Sequence, residues 1–195
     1  MNVEQVTASK PKIGGAVWRA LAGATLPTTA VAELGNSYAN LGYISSDGVK
    51  NNTEITSENV KAWGGDVVLS AENGKVDTFQ VKFIEATNID VLKAVYVDSN
   101  VDGTSLDEGI TVRANSTEHT EDIFVIDTIL KGGVIRRVVI PRGKITAIGE
   151  IQYVDNAPVG YDATITALPY ATWEGDTHRE YTVKPSTTST TVTTP

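Results

Sequence analysis

Alternation of apolar and polar residues predicts a protein built mainly of short β-strands. Residues 77–84 (DTFQVKFI) alternate strictly, which is typical of a strand with one buried face. The apolar side chains on that face are Phe79, Val81 and Phe83. Residues 66–70 (DVVLS) precede this segment, and Asn73-Gly74 between them favours a tight turn, because this dipeptide accepts positive φ angles. The two segments are therefore predicted to form a hairpin.

The second half of the chain contains a succession of further strand patterns. They lie at residues 123–130, 134–140, 144–154 and 159–168, with shorter ones at 109–114 and 180–183. Lys131-Gly132-Gly133 and Pro141-Arg142-Gly143 are predicted as turns between the first three segments. Many short strands at close spacing predict a mainly β fold, an antiparallel β-sandwich or barrel.

One helix is predicted, at residues 87–98. Asn88 suits the N-cap position, and Asp90 suits the positive end of the helix dipole. One stripe of the helix is apolar and consists of Val91, Leu92, Val95 and Tyr96. This stripe is expected to cover one opening or face of the β structure.

Residues 45–62 (SSDGVKNNTEITSENVKA) are almost entirely polar and predict a long loop, of a length that is commonly functional or disordered. Trp63 follows directly, and Gly64-Gly65 allow a sharp turn after it. Two interpretations of Trp63 are open. Its side chain either packs on its own domain as a hydrophobic clamp or lies at a contact between subunits, where aromatic residues are enriched.

Composition narrows the possible functions. The 195 residues carry a net charge of -8, which argues against a surface that binds nucleic acid phosphates or anionic lipid. No cysteine is present, which excludes disulfides, thiolate nucleophiles and Cys-ligated zinc. No stretch approaches the roughly 20 apolar residues of a membrane helix, so no membrane insertion is expected. The predicted organisation is an N-terminal arm (1–24), a β-sandwich domain (25–184) and a disordered Ser/Thr-rich tail (185–195).

Catalytic motifs are absent, so neither an enzyme nor a cofactor is expected. The two histidines lie alone in polar sequence, and no nucleophile elbow or phosphate-binding loop occurs. Residues 98–103 (DSNVDG) match the opening of a calcium loop and make Asp98, Asn100 and Asp102 candidate ligands. The twelfth position is Gly109 instead of a bidentate Glu, and the same residues suit a plain turn from helix to strand.

Charge is distributed in blocks. Residues 85–122 contain nine acidic residues, whereas residues 131–144 contain five basic and no acidic ones. The blocks are either ordinary solvated surfaces or unlike faces that attract identical subunits head to tail.

Four segments together resemble the major tail proteins of long, flexible-tailed bacteriophages. They are LGYISSDGVKNNTEITSENVKAWGGDVVL (41–69), FIEATNIDVLKAVYVDSNV (83–101), GITVRANSTEHTEDIFVIDTILKGGVIRRVVIPRGKITAIGEIQYVD (109–155) and GYDATITALPY (160–170). The similarity lies in the order of the segments and in local strings, and it runs over residues 25–181. It implies a β-sandwich or barrel with a flanking helix, in a virion subunit that forms hexameric rings stacked into a tail tube for genome delivery.

The resemblance also implies partners and sites. The partners would be further copies of the chain and other phage tail proteins, while genomic DNA passes through without specific binding. Assembly would take place in the cytoplasm of the bacterial host. A projecting loop would reach the next ring, with candidate interface residues Asp47, Asn51, Glu54, Glu58 and Trp63. Acidic side chains would face the lumen, with Asp102, Asp107 and Glu108 as candidates.

Two other classes of function fit the same composition. One is another virion or surface-lattice subunit. The other is a calcium-binding or carbohydrate-binding β-sandwich module, which would also be acidic, free of cysteine and rich in Asp/Asn turns.

Overall fold

A computed structural model describes residues 5–185, in which antiparallel β-structure dominates. The strands are β1 (Ser9–Pro11), β2 (Val17–Leu21), β3 (Ala39–Asn40), β4 (Ile44–Lys61), β5 (Val67–Phe83), β6 (Val101–Asp102), β7 (Thr111–Val112), β8 (Asp122–Leu130), β9 (Ile135–Ile148), β10 (Tyr161–Ala167) and β11 (Arg179–Val183). The α-helix of this region, α1, spans Ile89–Tyr96. Beyond Pro185, the predicted Ser/Thr-rich tail lies outside the described residues.

Nine of the strands form one sheet, in the order β3-β2-β8-β9-β10-β5-β4 with every neighbouring pair antiparallel. Two strands lie off this path, because β1 pairs with the end of β8, and β11 pairs with the first half of β9. Strands β6 and β7 form a separate two-stranded ribbon. The sheet does not close into a barrel. The prediction of a mainly β, sandwich-like fold with one flanking helix is confirmed.

The main core lies between the sheet and α1. Its largest fully buried apolar side chains include Phe83, Phe124, Ile140 and Ile165, and α1 contributes Val91, Leu92, Ala94 and Val95. A second, smaller core covers the opposite face of β8 and β9, with Ile123, Val125 and Val139. Because both faces of β8 are covered, its residues 123–126 (IFVI) are continuously apolar instead of alternating.

The predicted helix is confirmed, together with its cap. The Asn88 side-chain oxygen accepts a hydrogen bond from the backbone N–H of Asp90 at 3.0 Å, which satisfies one of the free amides of the first turn. The helix ends at Val97, whose φ of 74° lies in the left-handed region.

The prediction that residues 45–62 form a loop is wrong, since they form strand β4. The hairpin predicted between residues 66–70 and 77–84 is also wrong, because both segments belong to the single strand β5. The turn lies instead at residues 62–66, where Gly65 adopts a φ of 94°. Asn73-Gly74 marks a β-bulge, at which Asn73 is the extra residue opposite Thr56 and Ser57. Backbone hydrogen bonds to β5 form β4 regardless of its side chains. Since both faces of its outer half are exposed to solvent, its sequence does not alternate between apolar and polar residues.

The predicted turn at Pro141-Arg142-Gly143 is wrong as well, because β9 runs through it. Asp122 pairs with Gly143 and Phe124 with Ile140, so two residues of β9 oppose one residue of β8. A bulge of this kind accommodates a proline, which donates no backbone hydrogen bond. Gly143 is required here, since a Cβ would lie 2.6 Å from the Phe124 ring.

Part of the predicted N-terminal arm belongs to the sheet. Within residues 1–24, β1 pairs with residues 128–130 of β8 and β2 pairs with residues 122–126. Ala16, Val17 and Ala20 are buried.

A buried ion pair connects the sheet to the N-terminal third of the chain. Arg137 on β9 donates to both carboxylate oxygens of Asp127 on β8, at 2.6 and 2.8 Å, and both side chains are fully buried. The same guanidinium donates to the carbonyl oxygens of Thr29 and Ala32 at 3.3 and 2.6 Å. Lys12 also approaches Asp127, at 3.5 Å.

Removing the charge of Asp127 should destabilise the fold strongly. In the Asp127→Asn variant the Arg137 charge remains buried without its counter-charge, which typically costs about 3–5 kcal/mol. Urea denaturation followed by tryptophan fluorescence measures the loss. The matched control is Glu180→Gln, which breaks a half-exposed pair with the neighbouring Arg136 and should cost less than about 1 kcal/mol. Equal losses in the two variants would contradict a structural role for the buried pair.

Candidate subunit interface

Strands β4 and β5 extend well beyond the body of the protein. The neighbouring strand β10 pairs with β5 only from Asp77 to Phe83. Residues 54–76, here called the projecting hairpin, continue as a two-stranded ribbon, and every residue in it is exposed. At about 3.3 Å per residue, the ribbon reaches roughly 30 Å from the body.

One face of the projecting hairpin carries a group of exposed apolar side chains together with Glu54 and Glu58. Cross-strand partners place their side chains on the same face, and Val60 pairs with Leu69, Glu58 with Ala71 and Glu54 with Val76. Val60, Leu69, Ala71 and Val76, here called the apolar face, are all exposed. The opposite face is mostly polar, apart from Ile55 and Val67. A two-stranded hairpin is marginally stable alone in water, and uncovered apolar surface marks interaction sites.

Trp63 lies at the tip of this hairpin. The turn is held by hydrogen bonds from Ala62 N–H to the Asp66 carbonyl at 2.8 Å and from Gly65 N–H to the Ala62 carbonyl at 2.9 Å. The Trp63 side chain is fully exposed, with a relative accessibility of 106%. The prediction that Trp63 packs on its own domain is therefore wrong.

The root of the hairpin is held by Asp77, which is completely buried. Its carboxylate accepts hydrogen bonds from the hydroxyls of Thr53, at 2.6 Å, and Thr177, and from Lys75 Nζ at 3.1 Å. Burial by itself raises the pKa of Asp77, but the hydrogen bonds from Thr177, Thr53 and Lys75 outweigh it and lower the pKa below its usual value. The bonds tie both strands to the segment before β11.

The interface residues predicted from sequence are all exposed, but they are spread along the ribbon. Asn51, Glu54 and Glu58 lie along β4, and Trp63 lies at the tip. Asp47 lies at the opposite end, where β4 bulges between Ile44 and Val49. Sequence reasoning missed the apolar face, because Val60, Leu69 and Val76 come together only once the register of the two strands is known.

The three candidate calcium ligands are engaged with other side chains. Asp98 binds the guanidinium of Arg19, and Asp102 pairs with Arg113 at 3.0 Å. Asn100 is buried and exchanges two hydrogen bonds of 2.9 Å with Asn115. Among residues 5–185, no group of three or more His, Asp or Glu side chains could hold a metal ion.

The candidate lumen residues Asp102, Asp107 and Glu108 lie in or beside the exposed connection between β6 and β7. The carboxylate of Glu108 accepts a hydrogen bond from the Thr104 hydroxyl.

The two charge blocks partly meet within one chain. Arg142 donates to both oxygens of Glu121, at 2.8 and 3.0 Å, and Lys144 pairs with Glu118. In addition, Arg137 is buried with Asp127. The acidic and basic blocks are therefore not simply two opposite faces of the subunit.

Within the described residues, no helix has both the length and the apolar character that crossing a membrane requires.

The contribution of Asp77 to stability should depend on pH. Because its folded pKa is lowered, the contribution is complete above the unfolded pKa of about 3.9 and is lost as the pH falls through the folded pKa. Asp77→Asn should lower the free energy of unfolding by about 1–3 kcal/mol at pH 7, the usual worth of hydrogen bonds to a charged group, and the difference from the unaltered protein should shrink below about pH 4. Urea denaturation of the variant and of the unaltered protein, at pH 7 and below about pH 4, measures this difference in the free energy of unfolding. The control is Asp47→Asn, an exposed carboxylate that accepts from Ser45 and should have little effect at either pH. A difference in the free energy of unfolding that does not change with pH would contradict a lowered pKa of Asp77 in the folded protein.

Comparison with known protein families gives a match over most of the chain. The family described as phage tail tube protein matches residues 3–179, which include strands β1 to β10, helix α1 and the projecting hairpin. A search of curated proteins gave no match. The chain belongs to the phage tail tube protein family and is a structural subunit of the virion tail.

Proposed function

We propose that this protein is the major tail tube subunit and that it self-assembles into stacked rings, forming the conduit through which the genome enters the host. The observation that carries this proposal is the projecting hairpin, with its exposed apolar face and its exposed indole at the tip. The hairpin extends roughly 30 Å from the body, and within residues 5–185 no other segment covers its far half. A second subunit is the natural partner in a family of tube proteins.

The contact is of the head-to-tail kind. A hairpin and the surface that receives it are different parts of the molecule, so each subunit offers one of each. Contacts of this type close into rings when the rotation allows it and otherwise continue as open filaments. A stack of rings needs contacts that close around each ring and contacts that continue openly along the tube. Among the sequence-predicted interface residues, Glu54 and Glu58 share a face with Val60 and would flank its contact.

The lumen is proposed to be acidic. Asp102, Asp107 and Glu108 are exposed, in a chain with a net charge of -8. A wall that repels phosphates lets the duplex slide without binding. Genomic DNA is therefore a passenger and not a specific ligand.

The remaining roles follow from a purely structural subunit. Its other partners are the tail proteins at the two ends of the tube, assembly takes place in the host cytoplasm, and neither catalysis nor membrane insertion is part of its work. The family match supports a structural subunit of the tail.

Shortening the projecting hairpin should abolish assembly and leave the fold intact. Ile55 and Lys75 are cross-strand partners, so replacing residues 56–74 by Asn-Gly closes the ribbon with a two-residue turn and preserves the Asp77 cluster. The shortened protein should remain monomeric in analytical ultracentrifugation and form no tubes in negative-stain micrographs. Its circular dichroism and thermal unfolding should stay close to those of the full chain. Tubes of normal length from this variant would refute the role of the hairpin.

Reversing the acidic loop should make the tube retain DNA. Tubes of the Asp107→Lys/Glu108→Lys variant, assembled with a short duplex, should protect DNA from nuclease at low salt and release it at higher salt. The matched control, Asp155→Lys/Glu174→Lys, changes the net charge equally at exposed positions elsewhere and should give no protection. Equal protection in the two variants would show that Asp107 and Glu108 do not face the lumen.

A further inference from the structure

A groove lies beside the start of strand β4. It has a volume of about 440 Å³, within the usual range of roughly 300–1,000 Å³ for binding pockets. Its lining includes Pro11, Ile13, Gly14, Tyr43, Ile44 and Glu85, and it is here called the end groove. Ile13 and Tyr43 are 94% and 76% exposed, which is unusual for large apolar side chains so close together.

The walls of the end groove are held by a network of hydrogen bonds. The Asn40 amide donates to the Gly14 carbonyl at 2.6 Å and accepts from Gly42 N–H at 2.9 Å. Glu85 accepts from Tyr43 N–H at 2.8 Å and from the Asn88 amide at 2.9 Å. The Glu85 carboxylate lies across Gly42, where a Cβ would overlap with it. A groove organised in this way loses little conformational entropy when it is filled.

The end groove and Trp63 lie at opposite ends of the same ribbon. Ile44 lines the groove and pairs with Phe83, the last residue of β5, whereas Trp63 lies beyond the far end of both strands. Seventeen residues of β5 separate the two ends, which corresponds to roughly 50 Å. A subunit therefore cannot fill its own groove, but a second copy displaced along the ribbon brings its tip to it.

The chemistry of the two ends is complementary. An indole has an apolar body that buries about 150–250 Å² and one N–H donor. The groove offers the apolar side chains of Ile13 and Tyr43 together with the Glu85 carboxylate as an acceptor. The tip carries Lys61 two residues before Trp63, and the groove carries the opposite charge on Glu85.

From this geometry we propose that Trp63 of one subunit inserts into the end groove of the next copy, and that this contact joins successive subunits along the tube. The inference rests on the proposed function and specifies which two surfaces meet. It makes Ile13, Tyr43 and Glu85 the receiving residues for Trp63.

Disulfide cross-linking tests the contact directly, because the chain contains no cysteine of its own. The double variant Gly64→Cys/Ile13→Cys places one thiol at the tip and one at the groove, and both positions are open to solvent. After assembly and mild oxidation, a ladder of covalent oligomers is expected on non-reducing gels. The two single variants control for tip-to-tip and groove-to-groove links. Gly64→Cys/Leu106→Cys, with an exposed thiol elsewhere, controls for random collision.

The outcomes separate this inference from the proposed function. Tubes with the ladder, and no ladder in the controls, support it. Tubes without the ladder, or with an equal ladder in a single variant or in the Gly64→Cys/Leu106→Cys control, overturn the inference and leave the tail tube assignment standing. Failure of the unaltered protein to form rings or tubes contradicts both.

Substitution at the two ends provides a second, independent measurement. Trp63→Ala and Ile13→Ser should each raise the protein concentration needed for assembly roughly 30-fold, the effect typical of removing a residue at the centre of an interface. In the double variant, the protein concentration needed for assembly should rise much less than the product of the two single increases, because both substitutions remove the same contact. Circular dichroism should be unchanged, since both side chains are exposed in the subunit. Fully multiplicative effects would contradict a direct contact.

Discussion

The architecture of the subunit depends on the backbone hydrogen bonds between β4 and β5. Through most of the sheet, burial of apolar side chains reinforces strand pairing, but beyond Asp77 the ribbon has only its own ladder and both its faces meet solvent. The ladder is anchored at its root, where Thr53, Lys75 and Thr177 bind the buried carboxylate of Asp77. This anchor directs a long, uncovered element away from a well-packed body.

The body supplies the rigidity that such an element requires. Strands β8 and β9 lie at the centre of the sheet, with one core under α1 and a second core on the other face. Arg137 and Asp127 connect these strands to the carbonyls of Thr29 and Ala32, and Lys12 adds a contact from the segment after β1. The N-terminal third of the chain is thereby joined to the centre of the sheet, and one wall of the end groove belongs to that third.

The proposed assembly depends on different surfaces at the two ends of one ribbon. If the tip and its receptor lay on the same side, copies would pair as closed dimers. In the contact proposed here, Trp63 lies at one end and the end groove at the other, so each added subunit would leave a free tip and a free groove for further growth. By contrast, the apolar residues of helix α1 are buried in the core of their own subunit. The charges of Arg142 and Glu121 likewise pair within the subunit.

The sequence by itself determined the mainly β class, the helix with its Asn88 cap and the similarity to tail proteins, because period-two alternation and capping chemistry are local. The predictions of a loop at β4 and of a turn at Pro141 were wrong. Local polarity and a proline do not reveal the partner strand, whose hydrogen bonds form β4 and whose pairing with β9 forms the bulge at Pro141. The sequence left Trp63 undecided between core and interface. Only the tertiary structure assembled the apolar face and the end groove. Val60 is placed opposite Leu69 by the register of the two strands, and Ile13 and Tyr43 line one groove only because the chain folds back on itself.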